Sequence, residues 1–198
     1  MKLFLSISVL IIFTRTTFSQ KTYSDSIQTY LTNYVETHDV ISGDDKKYFR
    51  FYEPDKTYRV KAKFKKVSDG KWFKMETSGV IKKTFRVYGV ASFSIHDTSL
   101  SLNIYQSQSL MEDDKYRNYL FLPFTDLTTG KETYHTGRYM DFTINDIKNG
   151  ELEIDFNKAY NPSCAYVNGK YNCPVPPREN SLPIEIKAGE MNFARKAD

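Results

Sequence analysis

Between Arg138 and Glu190 the chain concentrates the side chains best suited to chemistry: a guanidinium at Arg138, a carboxylate at Asp141, the amides of Asn157 and Asn161, the phenol of Tyr160, and both cysteines. Tyr134 and His135 stand just ahead of them. Five of the seven prolines fall in the same stretch. Each proline fixes φ and removes a backbone donor, while the asparagines can bond neighbouring backbone groups, so this segment is predicted to be either a specific site or a specific brace. In the site reading, Arg138 binds an anionic or carbonyl group, and Asn157, Tyr160 and Asn161 orient it in a pocket that Tyr134, His135 and Asp141 complete. In the brace reading, Arg138 and Asp141 hold the NPSC loop by buried hydrogen bonds while the prolines set its path. Arg138 and Asp141 are three apart, so an extended strand sends them to opposite faces, and a bulge or tight turn after Gly137 is needed to unite them.

Cys164 and Cys173 have eight residues between them, with Asn168 and Gly169 placed to reverse the chain midway. That spacing brings the two arms alongside each other, which makes a disulfide reachable in an oxidising compartment. A zinc site would need further ligands from His135, Asp141 or Asp155, and neither C-x-x-C nor H-E-x-x-H is present. A cysteine nucleophile would take His135 as its base. The expectation is a bridge, no metal and no cofactor. Glu112, Asp113 and Asp114 lack the ligand spacing of a calcium loop. Asp126 with TTGKET reads as a polar turn, His96 as a solvated turn residue and His38 as the exposed cap of a helix. A carboxylate pair such as Asp141 and Glu179 keeps hydrolysis open as an alternative.

Compartment is set by the first nineteen residues. A lysine, the apolar run LFLSISVLIIF and the polar exit TRTTFS have the pattern of a secretory signal, and the run is too short to anchor the chain across a bilayer. Residues 20–198 are then one domain by length, with no linker to divide them. Without Lys2 and Arg15 the 28 basic residues become 26 against 24 acidic ones, a net charge of +2. The lysines of YRVKAKFKK and IKKTFR occupy the polar positions of alternating strands, which points to a solvated sheet face and away from nucleic acid. No integral membrane segment is expected, and oligomeric state is left open.

The elements that must position these residues follow from periodicity. Tyr23, Ile27, Tyr30, Leu31, Tyr34 and Val35 predict one amphipathic helix over about Thr22 to His38. The period then falls to two. Strands are predicted over Tyr58–Phe64, Trp72–Met75, Ile81–Ile95 with Gly89 as a bulge, Leu100–Ile104, Tyr119–Phe124, Tyr139–Ile144, Leu152–Phe156 and Leu182–Lys187. One helix followed by many short strands predicts a mainly β fold, a strongly curved antiparallel sheet or partly open β-barrel. The 15 tyrosines and 14 phenylalanines supply the bulk of its core.

Two long segments, LFLPFTDLTTGKETYHTGRYMDF and DFNKAYNPSCAYVNGKYNCPVPPRENSLPIEIKAGE, together with the upstream FYEPDKTYRVKAKF, resemble the signature of the domain of unknown function 1684 family. Asp126, Arg138, Tyr139, Asp141, Asn157, Tyr160, Asn161, Cys164, Cys173 and Pro174 are among the residues that match. The resemblance covers roughly Tyr48 to Glu190 and implies a compact β-rich domain with a shared site in its second half. It carries no activity across, since the family has no assigned biochemical role. The functional expectation is an exported β-domain that binds a small molecule or cell-envelope component. A hydrolase-like enzyme using Arg138, Asp141 and Asn157, and an interaction domain without a ligand pocket, are the alternatives.

The signal pattern predicts a mature native protein beginning at or near Gln20. N-terminal sequencing of that product checks it, and an intact Met1 on soluble cytoplasmic protein would sink the export reading.

Overall fold

The computed structural model describes residues 20–194. The apolar run of the first nineteen residues lies outside the described residues. Helix α1 occupies residues 20–36 of them. Its Tyr23, Ile27 and Leu31, spaced by one turn, are buried against one another and Phe51. Each such side chain contributes roughly 1.5 to 3 kcal/mol when fully withdrawn from water.

The rest is a curled antiparallel half-barrel, as the alternating pattern predicts. Its strands are β1 (Arg59–Lys66), β2 (Phe73–Met75), β3 (Lys83–Ile95), β4 (Thr98–Ser107), β5 (Tyr119–Phe124), β6 (Arg138–Thr143) and β7 (Glu151–Asp155). They run in the order β6-β5-β4-β3-β1-β7, with β2 paired to the front half of β3. A short helix, α2 (Gln108–Met111), follows β4. The β3–β4 hairpin turns on His96 and Asp97, both at positive φ, in the tight reversal that matches strand twist.

Gly89 does more than bend β3. The register against β4 shifts between Val87 and Gly89, so one residue goes unpaired. Phe85 therefore packs with Tyr105 and Phe121 on the outer face, whereas Ala91, Phe93 and Ile95, of the same sequence parity, enter the main core. The single face expected from their shared parity becomes two. Only glycine fits here, because a Cβ would sit 2.8 Å from Lys65 O and closer still to the Phe64 ring.

The inner face holds the main core, including Leu102, Ile104, Leu120, Leu122 and Ile154, and it is closed by Leu182, Ile186 and Ala188 from a C-terminal strap. This strap is the predicted strand Leu182–Lys187, and it is not one. Its alternation is real, but the backbone meets β5's end only at Leu182 N to Thr125 O (2.8 Å) and Leu127 N to Ile184 O (3.0 Å). The carbonyls of Ile186, Ala188 and Glu190 go to a side chain instead: Arg138 Nη2 donates to Ile186 O at 2.9 Å, and Nη1 donates to Ala188 O and, at 3.4 Å, to Glu190 O. Three carbonyls at two-residue spacing are thus gathered by one guanidinium. Its charge is balanced by Asp126, 2.6 Å from Nη2, and its plane lies over Phe124 at 5.2 Å. Arg138 is 1% exposed.

Removing one partner of a buried pair leaves the other charge uncompensated, so Arg138→Met is expected to lower unfolding free energy by roughly 3 to 5 kcal/mol. Arg138→Lys keeps a charge for Asp126 but lacks the fork, and its loss is expected to be smaller yet substantial. Urea midpoints measure both, and a lysine variant as stable as the wild type would refute the brace.

Candidate functional site

The residues singled out by sequence separate into three environments. Arg138 is enclosed as described, and burial lowers its guanidinium from its ordinary value against the opposing pull of Asp126. Asn157 and Asn161 are each 1% exposed. Asn157 Nδ2 donates to Tyr23 Oη (2.8 Å), Asp55 O (2.8 Å) and Asp155 Oδ1 (3.0 Å), while its Oδ1 accepts from Asp55 N. It therefore ties α1 and the segment before β1 to the end of β7. Asn161 Nδ2 donates to Met191 O at 2.8 Å, holding the last described turn of chain. These three side chains face the interior, and they do not form the pocket that the site reading expected of them. Arg138 acts as a brace, but on the carbonyls of the C-terminal strap and not on the NPSC loop, and Asp141 takes no part in it.

Asp141 lies on the opposite face of β6, as strand alternation requires, because the register against β5 runs unbroken from Arg138 to Asp141. Its carboxylate accepts from Tyr119 Oη at 2.5 Å and from Tyr160 Oη at 2.8 Å. Crowding by those rings raises the carboxyl from its usual range, the two hydroxyls pull it back, and an opening to solvent on one side moderates both effects. Tyr134 and His135 form a tilted ring pair 4.4 Å apart in the turn before β6, with His135 exposed.

The cysteines form the expected bridge, with Cα atoms 6.3 Å apart. It closes a loop that lies over the outer face of the sheet, and between loop and sheet runs a cleft of about 390 Å³. One wall is Phe85, Tyr119, Phe121 and Tyr139 from β3, β5 and β6; the other is Tyr160, Pro162, Tyr171, Cys173 and Pro174. Leu110 of α2 and Lys83 stand on its lining too. Tyr119 and Tyr160 spend their hydroxyls on Asp141, and Tyr139 donates its own to Pro174 O. These three tyrosines consequently offer ring surface to the cleft, and its polar groups come from Ser107, Ser109, Ser163, Tyr171 and Asn172. Among the described residues, Lys83 is the one charged side chain on that lining. Apolar neighbours lower its ammonium from the ordinary lysine value, a modest push for a side chain that still meets solvent.

A second feature went unread in the sequence. Glu190 is 0% exposed and has no cationic side-chain partner among the described residues; its oxygens accept from Tyr166 Oη (2.7 and 2.8 Å), Asn161 N (2.9 Å) and Tyr34 Oη (3.2 Å). Burial pushes its carboxyl up to about 7 against these donors. The nearby Asn161 Oδ1 has no partner among the described residues. His38 is no exposed cap: its ring packs 4.8 Å from Tyr166 and 4.9 Å from Phe49, above this carboxylate's tyrosines. No group of His, Cys, Asp and Glu able to hold a metal ion occurs among the described residues.

Because folded Glu190 binds its proton more tightly than the unfolded chain does, its contribution to stability falls as pH rises from about 4.5 to about 7 and is level above that. The span corresponds to about 3 kcal/mol. Glu190→Gln is expected to remove that part of the slope, measured as urea unfolding free energy across the range; an unchanged slope would refute the assignment.

A comparison with curated proteins finds no match. The solution NMR structure of an uncharacterised protein from Haloarcula marismortui is similar, at 26% identity and a TM-score of 0.60, over 93% of this chain and 96% of that one. The family model described as a protein of unknown function, DUF1684, matches residues 47–191, a span that includes the whole sheet, the Arg138 brace and the disulfide loop. The chain belongs to the DUF1684 family.

Proposed function

We propose that this protein is exported and binds a small amphipathic anion, free or as part of a cell-envelope component, in the cleft between the sheet and the disulfide loop. The observation that carries the reading is the cleft's composition: an aromatic wall whose Tyr119, Tyr139 and Tyr160 hydroxyls are engaged elsewhere, a few serine and asparagine groups, and the single ammonium of Lys83. Ligand sites are predominantly apolar with few placed polar groups, and 390 Å³ is within their usual size. Rings supply the contact area, and the ammonium orients an acidic head. The disulfide supports export, since such bonds persist in oxidising compartments.

A hydrolase built on Arg138, Asp141 and Asn157 has less support than binding in the cleft. Arg138 and Asn157 are enclosed on the interior side of the fold, whereas Asp141 faces outward, so the three share no space in which a substrate could sit.

Native mass spectrometry of protein purified from its own compartment tests the proposal. A retained organic acid is expected, released on unfolding. Ser109 is exposed on the cleft's lining, so Ser109→Trp should fill the space without disturbing the core and abolish retention. Lys83→Gln should weaken binding about tenfold or more, the loss of one charge-assisted contact. Retention that survives Ser109→Trp would place the ligand elsewhere.

A further inference from the structure

The loop from Glu76 to Lys82 joins β2 to β3 at the edge of the cleft and carries an aliphatic pair at its tip. Val80 is 94% exposed and Ile81 is 61% exposed. A lone exposed aliphatic residue is ordinary. This pair is different because the loop is held outward by an ordered frame. Ser78 N donates to Cys173 O at 2.8 Å and Ile81 N to Asn172 Oδ1 at 3.1 Å, which fastens the tip to the disulfide loop. Thr77 Oγ1 donates to Ile81 O at 2.8 Å and accepts from Gly79 N at 3.3 Å, closing the turn from within. A Cβ at Gly79 would lie 2.2 Å from Asn172 Oδ1, so a larger residue would push that amide away from Ile81 N. The chain therefore displays two aliphatic side chains on a hydrogen-bonded projection.

Charge around the tip has one prevailing sign. Residues 74–83 carry Lys74, Lys82 and Lys83 against Glu76 alone. Glu76 is engaged by Lys82, and Lys74 Nζ donates to Thr84 Oγ1, leaving Lys83 with no ion-pair partner among the described residues. Lys170 adds a further cation on the disulfide loop, next to Tyr171, whose carbonyl accepts from Ser78 Oγ. Glu112 shares the hollow beside Lys82 and Lys83 and is the acidic group that opposes them.

From the projecting aliphatic pair and its lysine collar we infer that this loop docks the protein on an anionic lipid bilayer. Val80 and Ile81 enter the headgroup boundary, lysine stems lie along it, and their ammonium groups meet lipid phosphates. Among the described residues no helix is long and apolar enough to cross a membrane, so the contact is peripheral and reversible. Docking in this orientation brings the Lys83 and Asn172 part of the cleft's lining close to the bilayer surface, since Lys83 follows the loop and Asn172 is bonded to its tip. The docking itself does not depend on the cleft being a ligand site.

Co-sedimentation with vesicles of mixed phosphatidylglycerol and phosphatidylcholine, against pure phosphatidylcholine, tests the inference on the native mature protein. Binding to the anionic vesicles is expected, weakened by added salt. Val80→Asp with Ile81→Asp should lower partitioning at least tenfold, and urea unfolding confirms that this exposed change leaves the fold intact. Lys83→Glu should lower it as well. Ser109→Trp, which blocks the cleft, should leave vesicle binding unchanged, so failure of docking and failure of the cleft reading are told apart. Equal sedimentation of the aspartate variant and wild type would overturn the inference. So would a lipid-free dimer, seen by analytical ultracentrifugation, that the aspartate pair dissociates, because the tip would then face a second copy of the chain.

Discussion

One charge withdrawn from water organises this molecule. Arg138 is enclosed at the end of β6, where its desolvation is offset by Asp126, by three backbone carbonyls and by the face of Phe124. A buried guanidinium is tolerable only when its donors are met and its charge is answered, and both conditions depend on the C-terminal strap lying in one position. The strap cannot pair as a strand along its whole length. It is fixed instead at alternate carbonyls by a side chain, which lets it seal the inner face of the half-barrel. The same placement delivers Glu190 beneath Tyr34 and Tyr166, so the helix, the NPSC loop and the strap are joined through a carboxyl whose pKa burial raises to about 7.

The outer face obeys a different economy of polar groups. Tyrosine is abundant here, and a cleft lined by Tyr119, Tyr139 and Tyr160 would be hydrophilic if their hydroxyls pointed into it. Asp141 and Pro174 O take those hydroxyls away from the space. Asp141 thus serves the cleft without lining it: the two hydroxyls it accepts from orient a ring from β5 and the Tyr160 ring just ahead of the disulfide loop. Tyr139 packs edge-on against Phe121 at 4.7 Å and against Tyr160 at 5.9 Å, so the walls are also braced by ring contacts.

Local pattern was enough for the helix, for seven of the strands and for the disulfide, because spacing in the chain determines each of them. Where a residue's role depends on a distant partner, the pattern was silent or misleading. Leu182 to Lys187 alternates as a strand does, but whether its carbonyls meet another strand depends on Arg138, some fifty positions earlier. Phe85 and Phe93 share parity and face opposite ways, since the unpaired residue near Gly89 reverses the count. The separation of Arg138 from Asp141 was readable from strand geometry, but which of the two turned inward was not. The cleft was invisible because its walls come from β3, α2, β5, β6 and the disulfide loop. A partial signal existed in the outward parity of Tyr119, Phe121, Tyr139 and Asp141 on two neighbouring strands. Glu190 had none, being an ordinary glutamate until the fold encloses it.

The residues through which the chain resembles its family sort unevenly between these two faces. Asp126, Arg138, Asn157 and Asn161 all belong to the brace, whose demands are those of a buried charge and of satisfied amides in any chain that folds this way. The cleft draws on the same stretches through Tyr139, Tyr160, Cys173 and Pro174, while Lys83, Phe85, Ser109 and Leu110 come from β3 and α2, which also lie within the matched residues 47–191. The second half of the chain therefore supplies the strap and its anchor together with one wall of the space left outside the half-barrel. The opposite wall, which carries the Lys83 ammonium and adjoins the Val80–Ile81 loop, supplies none of the hydrogen-bond partners of Arg138. Cleft and brace are thus separable: a change at Val80 or Ser109 meets solvent, whereas a change at Arg138 opens a buried ion pair.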